Sequence, residues 1–106
     1  MTESKIYVGL NDSETMQQVH ETDKYVKILK GVCRSYGVAF SFSVAQGGYI
    51  HEDGTYTQEN SLILSLVGTE RAVVDAIAGD LCAFFHQESV MVTETEVNRY
   101  FVSEKI

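Results

Sequence analysis

The feature that most constrains this chain is an ordered exchange of two periods. Stretches in which apolar residues alternate are separated by two stretches in which they recur every three or four residues. Ile6, Val8 and Leu10 alternate with Lys5, Tyr7 and Gly9, the period of a strand with one buried face. From Thr22, a candidate N-cap, Tyr25, Val26, Leu29, Val32, Cys33 and Tyr36 form the stripe of an amphipathic helix that Gly37 closes. Val38, Phe40, Phe42 and Val44 then alternate with small residues. Gln46-Gly47-Gly48 predicts a bend or bulge, and Glu52-Asp53-Gly54 a hairpin turn from which Thr55-Tyr56-Thr57 returns. Leu62, Leu64 and Leu66 mark the next strand, Val73, Val74, Ile77, Leu81, Phe84 and Phe85 a second helix begun at Gly68-Thr69, and Val90 and Val92 a last strand. After the Asn11-Asp12-Ser13 turn, Met16, Val19 and His20 predict a short helical turn, and Arg99 to Val102 reads as a short fifth strand or an ordered tail.

That order predicts an α+β domain of ferredoxin-like βαββαβ type over residues 1–106, a four-stranded antiparallel sheet with two helices on one face. The length suffices to bury one core without a metal or disulfide. Cys33 and Cys82 lie in helix-like patterns at no zinc or redox spacing, so they read as free thiols, and three scattered histidines give no metal motif. No metal site and no cofactor is expected. Fifteen acidic against eight basic residues give a formal charge of −7, which repels phosphate backbones, so direct nucleic-acid binding is not expected. The same charge suits a protein partner with a basic groove, and Glu52, Asp53, Glu59, Glu94, Glu96 and Glu104 are candidates for an acidic rim. No apolar run is long enough for a membrane span and no apolar signal core follows Met1, so a cytoplasmic location without membrane contact is expected.

With both helices on one face, the other presents Tyr7, Ser41, Ser43, Ile63, Ser65 and Met91, small and semi-polar, a face on which a second copy can pack. A homodimer is therefore expected. Four segments carry a further pattern: Ile6-Tyr7-Val8-Gly9-Leu10, Ala45-Gln46-Gly47 before Asp53-Gly54, Glu59-Asn60-Ser61, and Phe85-His86-Gln87-Glu88-Ser89-Val90. In these the chain resembles a bacterial family of small α+β domains of unknown function, with a Gly-turn-Asp-Gly hairpin, a Glu-x-Ser and a Gln-Glu-Ser-Val motif. It departs from that pattern at Gln58, where a basic residue is usual, and at Tyr49, where a Trp is common. The resemblance brings no assigned reaction.

Tyr49, His51, Tyr56 and Glu59 gather around the hairpin, and His86, Gln87 and Glu88 leave the second helix, so the two groups are predicted to meet at one sheet edge as a ligand or partner site. A histidine beside a carboxylate is the pairing of a general base and its orienter. The plainer alternative gives Glu59 and Glu88 backbone or serine hydrogen bonds that hold the hairpin to the sheet. No catalytic signature is present, and the leading reading is a non-enzymatic protein-binding module, a small acidic phage or mobile-element inhibitor of a host defence nuclease. The alternatives are a dimeric small-molecule or nucleotide sensor or sequestering protein, and a small enzyme built on a His/Glu pair.

Overall fold

In the computed structural model, which describes residues 1–105, the alternation around Ile6 and Leu64 becomes strict burial, whereas Val44 is half exposed. β1 (Thr2–Gly9) hides Ser4, Ile6 and Val8 on one side, and β3 (Tyr56–Val67) hides Leu62, Leu64 and Leu66. β2 (Ser41–Ile50) and β4 (Met91–Glu96) complete a sheet of order β2-β3-β1-β4 in which every pair is antiparallel. Ile6 faces Leu64 and Phe42 faces Leu64 from the other side, so one continuous apolar row crosses three strands.

α1 (Thr22–Tyr36) and α2 (Arg71–Phe84) cover that face, adding Tyr25, Leu29, Val32, Cys33, Val74, Ile77, Ala78 and Leu81 to the core. The expected ferredoxin-like α+β arrangement, with both helices on one face, is the arrangement found. Gly37 ends α1 at φ 65°, in the left-handed region that a side chain disfavours. α2 ends differently: Phe85 is buried, and the left-handed position falls to His86, φ 53°. Its turn is closed by Gln87 N–H donating to the Cys82 carbonyl at 2.9 Å. Both cysteines are free; burial pushes the Cys33 thiol up to about 11. Among the described residues, no helix is long and apolar enough to cross a membrane.

Three expectations are corrected. Gln46-Gly47-Gly48 forms no bulge, because β2 stays in register with β3 from Ser41↔Ser65 through Gly47↔Glu59 and Gly48↔Gln58 to Ile50↔Tyr56. Gly48 is there for a different reason: the phenol of Tyr56 lies where its side chain would be. Met16, Val19 and His20 form no helical turn; Asp12 Oδ1 accepts from Glu14 N–H at 2.8 Å and Thr15 N–H at 3.2 Å, folding residues 12–16 into a tight turn with Met16 at φ 59°. Among the described residues there is no fifth strand, since Arg99 to Val102 leaves β4 without pairing.

β1 pairs with β3 only as far as Gly9↔Ser61, whereas β2 and β3 run on together to Ile50↔Tyr56. The β2–β3 ribbon thus overhangs the helical layer, and the molecule measures 60 × 29 × 27 Å.

Candidate functional site

At the root of this overhang, where β1 stops, the chain turns through Asn11 and lies against β3. Asn11 N–H donates to Glu59 Oε2 at 3.0 Å, and its side-chain amide donates to the Gln58 carbonyl at 3.3 Å. Gln87, leaving α2, donates from Nε2 to the Asn11 carbonyl at 2.6 Å. Asn11 therefore joins the hairpin to the exit of the second helix. Gly9 makes room for this: a side chain there would meet the Glu59 carboxylate at 2.5 to 2.8 Å.

Two clefts flank the Asn11–Glu59 link. The larger, about 470 Å³, is lined by Asn11, Gln18, Gln46, Gly47, Gly48, Tyr56, Gln58, Glu59 and Asn60. Its volume is within the range of about 300–1,000 Å³ typical of small-molecule sites. Its lining carries five carboxamides, one carboxylate and no cation, a surface suited to a polar, neutral or positively charged ligand. The smaller cleft, about 270 Å³, is lined by Asn11, Asp12, Ser13, Met16, Tyr49, Glu59, Gln87, Glu88 and Ser89.

Of the residues singled out from sequence, Tyr49, Glu59, Gln87 and Glu88 share the smaller cleft. Tyr56 lies in the larger one, which also shares Glu59. The histidines stand apart from Glu59. His51 Nε2 is 2.7 Å from Thr57 Oγ1 and its ring meets Tyr49 edge-on, while His86 Nδ1 is 3.6 Å from Asp12 Oδ2. A His/Glu pair is therefore not formed, and the enzyme alternative built on it loses its geometry. Asp12 is held below the usual carboxylate range by the backbone N–H groups of Glu14 and Thr15, helped by His86.

The six residues of the predicted dimer face do share the helix-free side of the sheet: Tyr7 lies opposite Ile63 and Met91, Ile63 opposite Ser43, and Ser65 opposite Ser41. Lys5 sits among them, opposite Ser65 and Thr93, and limits how dry that face can become. The expected acidic rim is partly engaged, with Glu94 at 3.3 Å from Arg71 and Glu96 at 3.8 Å from the N-terminal amine. Sequence reasoning gave no site role to the carboxamides Asn11, Gln18, Gln46 and Asn60; their traces were the Asn11-Asp12-Ser13 turn, the Ala45-Gln46-Gly47 segment and Asn60 inside the Glu59-Asn60-Ser61 motif.

No family model matches the chain, and no curated protein sequence matches it. Solved structures do. A phage SAM lyase in complex with S-methyl-5'-thioadenosine is 26% identical over 90% of this chain and 80% of its own, with a TM-score of 0.68. The same lyase in its apo state superposes with the same TM-score of 0.68. A Bacillus subtilis GlnK–ATP complex is 15% identical over 90% of this chain and 84% of its own, at a TM-score of 0.57. A DUF3240 family protein from Shewanella baltica is 6% identical over 97% of both chains, at 0.53. The last two likenesses concern the fold alone.

Proposed function

We propose that this chain binds S-adenosylmethionine at the root of the β2–β3 overhang and cleaves it to S-methyl-5'-thioadenosine. The observation that carries the reading is the likeness to the phage SAM lyase, which combines 26% identity with a TM-score of 0.68 over nine-tenths of this chain. The clefts beside Glu59 supply chemistry that fits. S-adenosylmethionine carries a positive charge on sulfur, and Glu59 is a carboxylate held in place by Asn11 N–H, in a lining without a competing cation. An overall charge of −7 attracts the same substrate from a distance.

A lyase step that releases S-methyl-5'-thioadenosine breaks the bond between sulfur and the methionine γ-carbon, and the electron pair goes to sulfur. The γ-carbon is then satisfied in one of two ways. The substrate's own carboxylate closes a five-membered ring on it, or a β-proton leaves to a base and a double bond forms. Ring closure asks the protein chiefly for positioning, which converts an encounter into a unimolecular step. Because the sulfur of the product is neutral, the attraction to Glu59 falls once the bond has broken, which favours release.

The test is incubation of the purified chain with S-adenosylmethionine and mass spectrometry of the products. Formation of S-methyl-5'-thioadenosine with a lactone or an unsaturated amino acid supports the reading and separates the two routes. The Glu59→Gln variant is expected to lose at least about tenfold in kcat/KM, the equivalent of ~1.4 kcal/mol of charge-dependent binding. A chain that forms no S-methyl-5'-thioadenosine is not a lyase.

A second reading, self-association or docking on another protein, draws on the C-terminal segment. Tyr100, Phe101 and Val102 are 84, 83 and 86% exposed, three consecutive large apolar residues uncovered by their own chain. The inhibitory docking role expected from sequence would use the same segment together with the acidic surface.

A further inference from the structure

We infer that Asn60 reads the adenine base in the larger cleft, in an orientation that Gln18 imposes. The inference rests on the nucleoside-binding reading above and specifies which group of the substrate enters this cleft and how it is told from others.

The His20 backbone carbonyl can only accept. Gln18 Nε2 donates to it at 2.9 Å and to Thr22 Oγ1 at 3.1 Å, so the nitrogen of the Gln18 carboxamide is committed to that side. Its oxygen therefore faces Asn60, and Asn60 Nδ2 donates to it at 3.0 Å. Turning the Asn60 carboxamide over would set oxygen against oxygen, so the network fixes it in one sense. The Asn60 oxygen and second N–H are the atoms this network leaves for a ligand, and Asn60 lines the larger cleft. Tyr56, whose phenol lies over Gly48, adds an aromatic surface to the same cleft.

Adenine presents an amino donor beside a ring-nitrogen acceptor on each of its two hydrogen-bonding edges. A carboxamide offering an oxygen beside an N–H matches that pattern, the pairing by which Asn and Gln select adenine elsewhere. On its N1 edge hypoxanthine carries an oxygen in place of the amino donor and an N–H in place of the ring acceptor, and would oppose both to the Asn60 carboxamide. An unconstrained asparagine would answer by turning over, but here that motion breaks the bond to Gln18. The cleft is thereby selective for adenine over its deaminated form, and Tyr56 supplies sequence-independent stacking.

The experiment is calorimetric titration of the full chain with S-methyl-5'-thioadenosine and with S-methyl-5'-thioinosine. The adenine form is expected to bind about 5- to 150-fold more tightly, the range of one good bidentate base contact. Asn60→Leu should abolish the preference. Gln18→Leu, which frees the Asn60 carboxamide to turn, should narrow it while S-methyl-5'-thioadenosine still binds; this second variant carries the test if circular dichroism shows that Asn60→Leu does not fold. Equal affinity of the two nucleosides for the unsubstituted chain, or binding of neither, overturns the inference. Cleavage of S-adenosylmethionine with no adenine preference would sink the Asn60 assignment and leave the lyase reading standing; adenine-selective binding without cleavage would do the reverse.

Discussion

Gly9 governs where the Glu59 carboxylate rests. Its lack of a side chain lets the carboxylate lie against the end of β1, within reach of Asn11 N–H. The obstruction that Gly9→Ala would introduce is with the far end of a flexible side chain, so the strand has no need to move and Glu59 swings away instead. We expect Gly9→Ala to shift the thermal midpoint by no more than the ~4–8 °C that about 1 kcal/mol represents in a domain of this size. We expect it also to lower turnover of S-adenosylmethionine by about tenfold, the equivalent of ~1.4 kcal/mol. Calorimetry and a product assay on the same preparation check both. Unchanged turnover would mean that the resting position of Glu59 has no bearing on the site.

Among the elements, β3 is the central organiser, paired on both sides and carrying three fully buried leucines. Leu64→Ala should cost roughly 2 to 5 kcal/mol in urea denaturation, whereas Ser65→Ala, on the helix-free face, should change stability by less than about 0.5 kcal/mol. Equal effects would contradict the register. The strands and helices were legible in sequence because burial imposes its period on residue type, as at Ile6 and Val8 or Leu62 to Leu66. Gly47-Gly48 misled because a glycine pair in a strand ordinarily signals a bulge, and a cross-strand ring such as Tyr56 leaves no mark on local pattern. Met16 and Val19 misled because apolar spacing suggested packing, whereas both are half exposed and the turn is set by the Asp12 carboxylate. Gln87, Asn11 and Glu59 join the exit of α2 to the hairpin; Asn11 had no part in the expected site, since an amide at a sheet edge carries no period.

At the scale of the whole molecule, the two ends of the 60 Å long axis differ in character. One is the overhanging hairpin; the other is the tail after β4, where Arg99 and Met1 both lie beside Gly68 before Tyr100 to Val102 run out into solvent. Sedimentation of the full chain at micromolar concentration is expected to give a mass above the 11.8 kDa of a single copy. Removal of the chain beyond Asn98 should reduce that mass; a full chain that sediments as a single copy would refute self-association through the tail. The overhang has a different consequence. Tyr56, Glu59 and Asn60 stand on the part of β3 that precedes its three fully buried leucines, and none of the three is itself fully buried. Substitutions there remove no side chain from the core, so a lineage carrying this fold can exchange one small molecule for another at the cost of local contacts alone.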